Sequence, residues 1–250
     1  MFNNISIIFI CLAFLAEIIG TIGGFGSSVY FVPIGNFYFD FHTVLGMTAV
    51  FHVASNLSKI ILFKKGLNKR IMLYMGIPSV VFVVLGGYLS KYFDGAVLAL
   101  FLAVFLILLS TVFLIWKKIK IQDSNRNATV GGILSGFAAG LLGTGGAIRG
   151  LTMASFKMKK DQFIATSAFI DFLIDSSRTA VYAHNGYITK EVLIYIPFLL
   201  VVGFLGTFVG KKILAFISEE RFRTISLLFI LIIGIVTLAH QLSWFDLVLE

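Results

Sequence analysis

The chain has 250 residues, 58% of them hydrophobic and only 13% charged, and its mean hydropathy is +0.99. A soluble domain runs at roughly 45–50% apolar and about 25% charged, so water-soluble enzymes, nucleic-acid binders and disordered scaffolds are excluded and an integral membrane protein is implied. The net charge of +8 lies beside apolar runs and not on a solvated face, which makes it a determinant of topology.

The N-terminal Met1-Phe2-Asn3-Asn4 carries no positive charge, so the apolar stretch after it reads as retained membrane structure and not as a cleaved signal. Segment 5–39 is apolar but broken by Gly20-Thr21-Ile22-Gly23-Gly24-Phe25-Gly26-Ser27-Ser28, which predicts a helical hairpin. Its first arm holds Glu17 and the single cysteine, Cys11; a disulfide within the chain is impossible, and Cys11 is expected as a small packed hydrophobe. Segment 41–63 has helix length and a polar middle. The runs 71–90 and 95–116 are uncharged and long enough for the about 20 residues that a bilayer requires.

The same order then recurs. Segment 128–156 is broken by Gly140-Leu141-Leu142-Gly143-Thr144-Gly145-Gly146, and 161–183 is a polar helix with Asp171, Asp175 and Arg178. The uncharged runs 192–210 and 224–245 follow, and Trp116 and Trp244 stand near span ends as interfacial aromatics do. Gly20, Gly23 and Gly26 recur as Gly140, Gly143 and Gly146; Lys59, Pro78 and Gly87 recur as Arg178, Pro197 and Gly206. An ordered set at nearly one spacing points to a duplication, with repeat 1 at 1–122 and repeat 2 at 123–250.

Charge placement orients the repeats. If each broken segment crosses once, Lys and Arg divide evenly between the two sides. If each enters and returns on one side, the loops around 64–70, 117–127, 157–161 and 211–223 share a face. That face carries every flanking Lys and Arg except Lys91 and Lys190, as the positive-inside rule expects. The expected fold is therefore an all-α polytopic membrane protein of two inverted repeats. Each repeat has a Gly-broken re-entrant hairpin plus three transmembrane helices, and both termini lie outside. How deep the hairpins reach is open. Inverted repeats with broken helices are the architecture of secondary transporters.

Glycine breaks a helix, and the N-terminus of the returning half-helix presents N–H donors and a positive dipole to an anion. Close helix packing through small residues is the competing use of such clusters. The expected substrate-binding residues are Gly23, Gly24, Gly26, Ser27, Ser28, Asn56, Lys59, Gly143, Thr144, Gly145, Gly146 and Arg178. His52, Ser55, Asn56 and Lys59 fall at i, i+3, i+4 and i+7 and share one helix face. Asp171, Asp175 and Arg178 occupy the matching places of His52, Asn56 and Lys59. Intramembrane ionisable groups face a cavity or a partner, so Glu17, His52, Asp171 and Asp175 are the expected proton-coupling groups. Blander readings stand beside these. Lys59 reaches the interface, Arg178 pairs with Asp171 or Asp175, His52 is a bonded core histidine, Glu17 is an ion-pair partner, and Arg149 contacts an anion, a phospholipid or a loop. The sequence has no metal-spaced His/Cys cluster, phosphate loop or nucleophile elbow, so neither enzyme, metal nor cofactor is expected.

At these residues the sequence resembles the sulfite exporter TauE/SafE family, the toluene-sulfonate uptake permeases. The resemblance rests on Gly23-Gly24-Phe25-Gly26-Ser27-Ser28 with Val32-Pro33-Ile34, on Leu62-Phe63-Lys64-Lys65-Gly66, on Gly136 to Gly146, and on Asn185-Gly186. It covers essentially the whole chain. Thr152-Met153 stands where a second Val-Pro would repeat, and Arg149 adjoins the second cluster. The resemblance implies transport of sulfite, thiosulfate, a sulfonate or a related small oxyanion, in either direction. The expected function is a secondary transporter in the cell (plasma) membrane, working by alternating access with protons as the candidate coupling ion; an anion channel is the alternative. The partners expected are that small anion and the lipid bilayer, with self-association into a homo-oligomer left open and nucleic acid excluded.

Overall fold

A computed structural model describes residues 6–23, 26–62, 66–116, 121–154, 156, 158–214, 216 and 219–249. All regular structure among them is helical: α1 (Ile7–Gly23), α2 (Ser28–Gly35), α3 (Phe41–Leu62), α4 (Lys69–Ile71), α5 (Ile77–Ser90), α6 (Gly95–Ile115), α7 (Asn125–Leu142), α8 (Gly146–Ala154), α9 (Lys160–His184), α10 (Lys190–Leu214) and α11 (Glu219–Leu249). A π-helical turn, Met72–Gly76, joins α4 to α5, so Lys69–Ser90 is one rod. Five helices among the described residues are long and apolar enough to cross a membrane: Phe41–Leu62, Lys69–Ser90, Gly95–Ile115, Lys190–Ile213 and Thr224–Ser243. The polar segment at 161–183 lies within the 25-residue α9, about 37 Å long.

Helix ends follow local chemistry. Asn68 accepts a hydrogen bond from the Ile71 N–H, Asp94 from Ala96 and Ser124 from Asn127, each satisfying a first-turn donor. Gly143 adopts φ 75° and ends α7 in the left-handed conformation that a side chain resists. Gly26, with φ 81°, does the same between α1 and α2. These two glycines make the broken segments into hairpins with one long arm and one short arm. The short arms, α2 with 8 residues and α8 with 9, span only about 12–13 Å, less than half of a hydrocarbon core of about 30 Å.

The helices pack in pairs that exchange with one another when the two halves of the chain are exchanged. Helix α1 lies along α10 as α7 lies along α5; α3 packs on α9, and α6 on α11. The contact of α7 with α5 is the closest. Gly132, Gly136 and Gly140 recur every four residues and face the carbonyls of Met75, Ser79 and Val83, which recur every four residues on the partner rod. A Cβ on any of the three would sit 2.2–2.4 Å from a backbone oxygen, so only glycine permits this approach. In the other half, Gly206 and Gly210 of α10 face the side chains of Glu17 and Thr21 of α1, which a Cβ on either glycine would meet at 2.8 Å. Apolar side chains such as Ile8, Leu108, Val201 and Ile232 cover the outside, where lipid would meet them. Cys11 lies exposed on that surface and is not the packed hydrophobe expected.

Candidate functional site

The two glycine turns meet at the centre of the molecule. A Cβ on Gly26 would come within 3.9 Å of the Gly146 Cα, and the Ser28 hydroxyl donates to Thr144 Oγ1 at 3.1 Å. Helix α2 begins at Ser28 and α8 at Gly146, so two helix N-termini converge there. The first-turn N–H groups of each helix have no carbonyl within that helix, and the dipoles add positive potential. The turn at Gly145 fits tightly against α7: a Cβ on Gly145 would sit 1.9 Å from the Ser135 carbonyl.

Helices α3 and α9 close the site from the side. Asn56 donates to Asp175 Oδ2 at 2.6 Å, so two residues in matching places of the halves touch each other. Asp175 Oδ1 is 2.7 Å from Arg178 Nη2 one turn on. The Arg178 Nη1 donates to the carbonyls of Gly143, at 2.7 Å, and Ala139, at 3.3 Å, and so fastens α9 to the end of α7. Its Nε is buried without a hydrogen-bond partner.

Among the described residues, three ion pairs surround the turns. Lys59 Nζ lies 2.9 Å from Glu17 Oε1. Glu17 is fully buried and also accepts from the hydroxyls of Ser27 (2.5 Å), Ser55 (2.6 Å), Thr207 (2.9 Å) and Thr21 (3.1 Å). Arg149 on α8 grips Asp171 with both terminal nitrogens, and its Nε donates to Ser167 at 3.3 Å. Arg178 with Asp175 is the third pair. Three cations therefore meet three carboxylates, and the charges of this centre cancel. His52 links two of the pairs: its Nδ1 is 3.4 Å from Arg178 Nη2 and its Nε2 is 2.7 Å from Ser27 Oγ. Ser27 in turn donates to Glu17 Oε2.

These groups border a cavity of about 70 Å³. A single water needs roughly 10–15 Å³ on the same measure, so an anion of four or five heavy atoms is of the right size. Among the residues the sequence singled out, Gly26, Ser27, Ser28, His52, Asn56, Lys59, Gly143, Gly145, Gly146, Asp171, Asp175 and Arg178 line it. Thr144 is buried beside it, and Glu17 stands behind Lys59. Gly23 ends α1 without lining the cavity, and Gly24 lies outside the described residues. The wall also includes Thr21, Arg149 and Ser167. The pairing of Arg149 with Asp171 joins α8 to α9 across 22 residues, and no helical periodicity signals it.

Comparison with known proteins adds a family. The sequence profile described as sulfite exporter TauE/SafE matches residues 9–237. A curated protein described as a probable membrane transporter, from Methanocaldococcus jannaschii, is 27% identical, with 82% of this chain and 86% of that protein covered. No solved structure matches.

Proposed function

The chain belongs to the sulfite exporter TauE/SafE family and is a membrane transporter; from that premise we propose that it moves sulfite or a related small organosulfur oxyanion across the plasma membrane by alternating access. The observation that carries this reading is the convergence of two half-helix N-termini on a small cavity ringed by ion pairs. The N–H groups of the Gly26–Ser28 and Gly143–Gly146 turns supply donors to the anion, and Ser27 and Ser28, whose hydroxyl protons go to Glu17 and Thr144, line the wall beside them. Thr144 holds the Ser28 hydroxyl, and Gly23 closes α1 ahead of the first turn. Asn56, Lys59 and Arg178 complete the wall, the two cations held in place by Glu17 and Asp175.

Proton coupling falls best on Asp171. Its carboxylate is 19% exposed, whereas Glu17 is enclosed by five donors and Asp175 is held between Asn56 and Arg178. His52 bridges the halves, facing Ser27 of the first and Arg178 of the second. The two halves, 1–122 and 123–250, are inverted with respect to each other and both termini lie outside. The exchange of packing partners between halves and the one-sided basic loops favour this arrangement.

Labelled sulfite flux in proteoliposomes, with and without an imposed pH gradient, tests the reading. Saturable flux that follows the gradient is expected. Saturable flux indifferent to the gradient removes the proton and leaves the anion site. Flux too fast to saturate speaks for a channel. Folded protein that passes neither sulfite, thiosulfate nor sulfonates overturns the reading.

A further inference from the structure

We propose that the transported anion docks on Arg149 by taking the place that Asp171 occupies in this structure, so that binding is an exchange of carboxylate for substrate. The inference rests on the transport reading above and adds the residue that receives the anion. It follows from asking which cation of the cavity can change partners. Lys59 cannot do so cheaply, because Glu17 is wholly buried and is held in addition by the hydroxyls of Thr21, Ser27, Ser55 and Thr207. Arg178 cannot, because the same guanidinium that pairs with Asp175 also carries the carbonyls at the end of α7. Releasing Glu17 would strand a wholly buried carboxylate, and releasing Asp175 would leave the Arg178 guanidinium still committed to the end of α7.

Arg149 differs on both counts. It is itself 3% exposed, yet its partner carboxylate is 19% exposed and takes no other hydrogen bond from the described residues. Arg149 Nε stays bonded to Ser167, so the guanidinium keeps its aim when Asp171 leaves. Its two terminal nitrogens then face the cavity as a fork, which matches two oxygens of a sulfite or sulfonate as it matches a carboxylate. The first turn of α8 runs from Gly146 to Arg149, so the fork and the first-turn N–H groups belong to the same short helix. The buried and unpartnered Arg178 Nε also belongs to a cavity-lining residue. Exchange keeps a counterion on Arg149, and the displaced Asp171 carboxylate, 19% exposed, takes up a proton or turns to water, which ties the exchange to the proton coupling proposed above.

The test compares wild type, Asp171→Asn, Arg149→Lys and Asp123→Asn in proteoliposomes. The probe is sulfite, or whichever of thiosulfate and sulfoacetate the wild type carries with saturable kinetics. Exchange predicts that D171N lowers KM about tenfold, the weight of one charge-assisted contact no longer competing. R149K should raise KM by at least as much because a point charge replaces the fork. D123N removes a carboxylate from the exposed Arg70 pair and should leave KM unchanged. A D171N protein that melts like wild type with an equal or higher KM overturns the exchange. If D171N does not fold, R149K decides, and a wild-type KM in that variant overturns it. No saturable flux of any probe by the wild type counts against the transport reading itself.

Discussion

Glu17 shows what the polar centre costs and how the sequence meets that cost. A carboxylate buried this deeply holds its charge only because one ammonium and four hydroxyls face it, and the hydroxyls come from α1, the Gly26 turn, α3 and α10. Removing one partner of such a pair costs about 3–5 kcal/mol because the other charge is left alone. Lys59→Ala should therefore lower the melting temperature of the purified protein sharply, and adding Glu17→Gln should recover most of it; an unchanged melt in the single variant would contradict the pairing. Flux should fall in Lys59→Ala and in Arg178→Ala, and full flux in both would remove these cations from the anion path. The sequence already held much of this. The i, i+3, i+4, i+7 face of α3 and its match on α9 put His52, Asn56, Lys59, Asp171, Asp175 and Arg178 on a common site. It did not hold the partners, because a side chain's charge says nothing of which helix will face it: Glu17 finds Lys59, and Asp171 finds Arg149, through contacts between segments remote in the chain.

The helices owe their closeness to glycine as much as to apolar area. The seam of α7 against α5 places Gly136 where a methyl group would lie 2.3 Å from the Ser79 carbonyl, and no rotamer relieves a clash with backbone. Gly136→Ala should destabilise by about 1–3 kcal/mol, the range for overpacking. Gly76→Ala, whose Cβ would meet only the Ile170 side chain at 3.4 Å, should cost far less. Thermal melts of the two variants in the same detergent check the contrast, and equal losses would refute the seam. Glycine clusters at 20–26 and 140–146 were legible as helix breaks because they are dense and repeat. Gly132 and Gly136 were not, since single glycines in an apolar run look alike until a partner rod is known. The π-helical turn at Met72–Gly76 also left no mark in the hydropathy; it depends on the backbone path next to α9 and α7.

At the scale of the molecule, the pairing of elements across the two halves and the basic loops of the proposed topology make one prediction about orientation. A C-terminal alkaline phosphatase fusion, active only outside the cytoplasm, should be active, and a C-terminal fluorescent reporter that matures only inside should stay dark; the reverse pattern would rule out the proposed arrangement. The membrane class and the order of the segments could be read from hydropathy because lipid imposes length and composition directly. The central contact of Asn56 with Asp175 has a further consequence, one of history. Were the halves two copies of a single short chain, symmetry would set one residue against its own twin at that spot. Two amides can bond to each other there, but two carboxylates a few ångströms apart cannot both stay ionised. An acid facing an amide is open only to halves that mutate independently, as two repeats of one chain do, so the proposed duplication leaves this centre free to be unlike on its two sides.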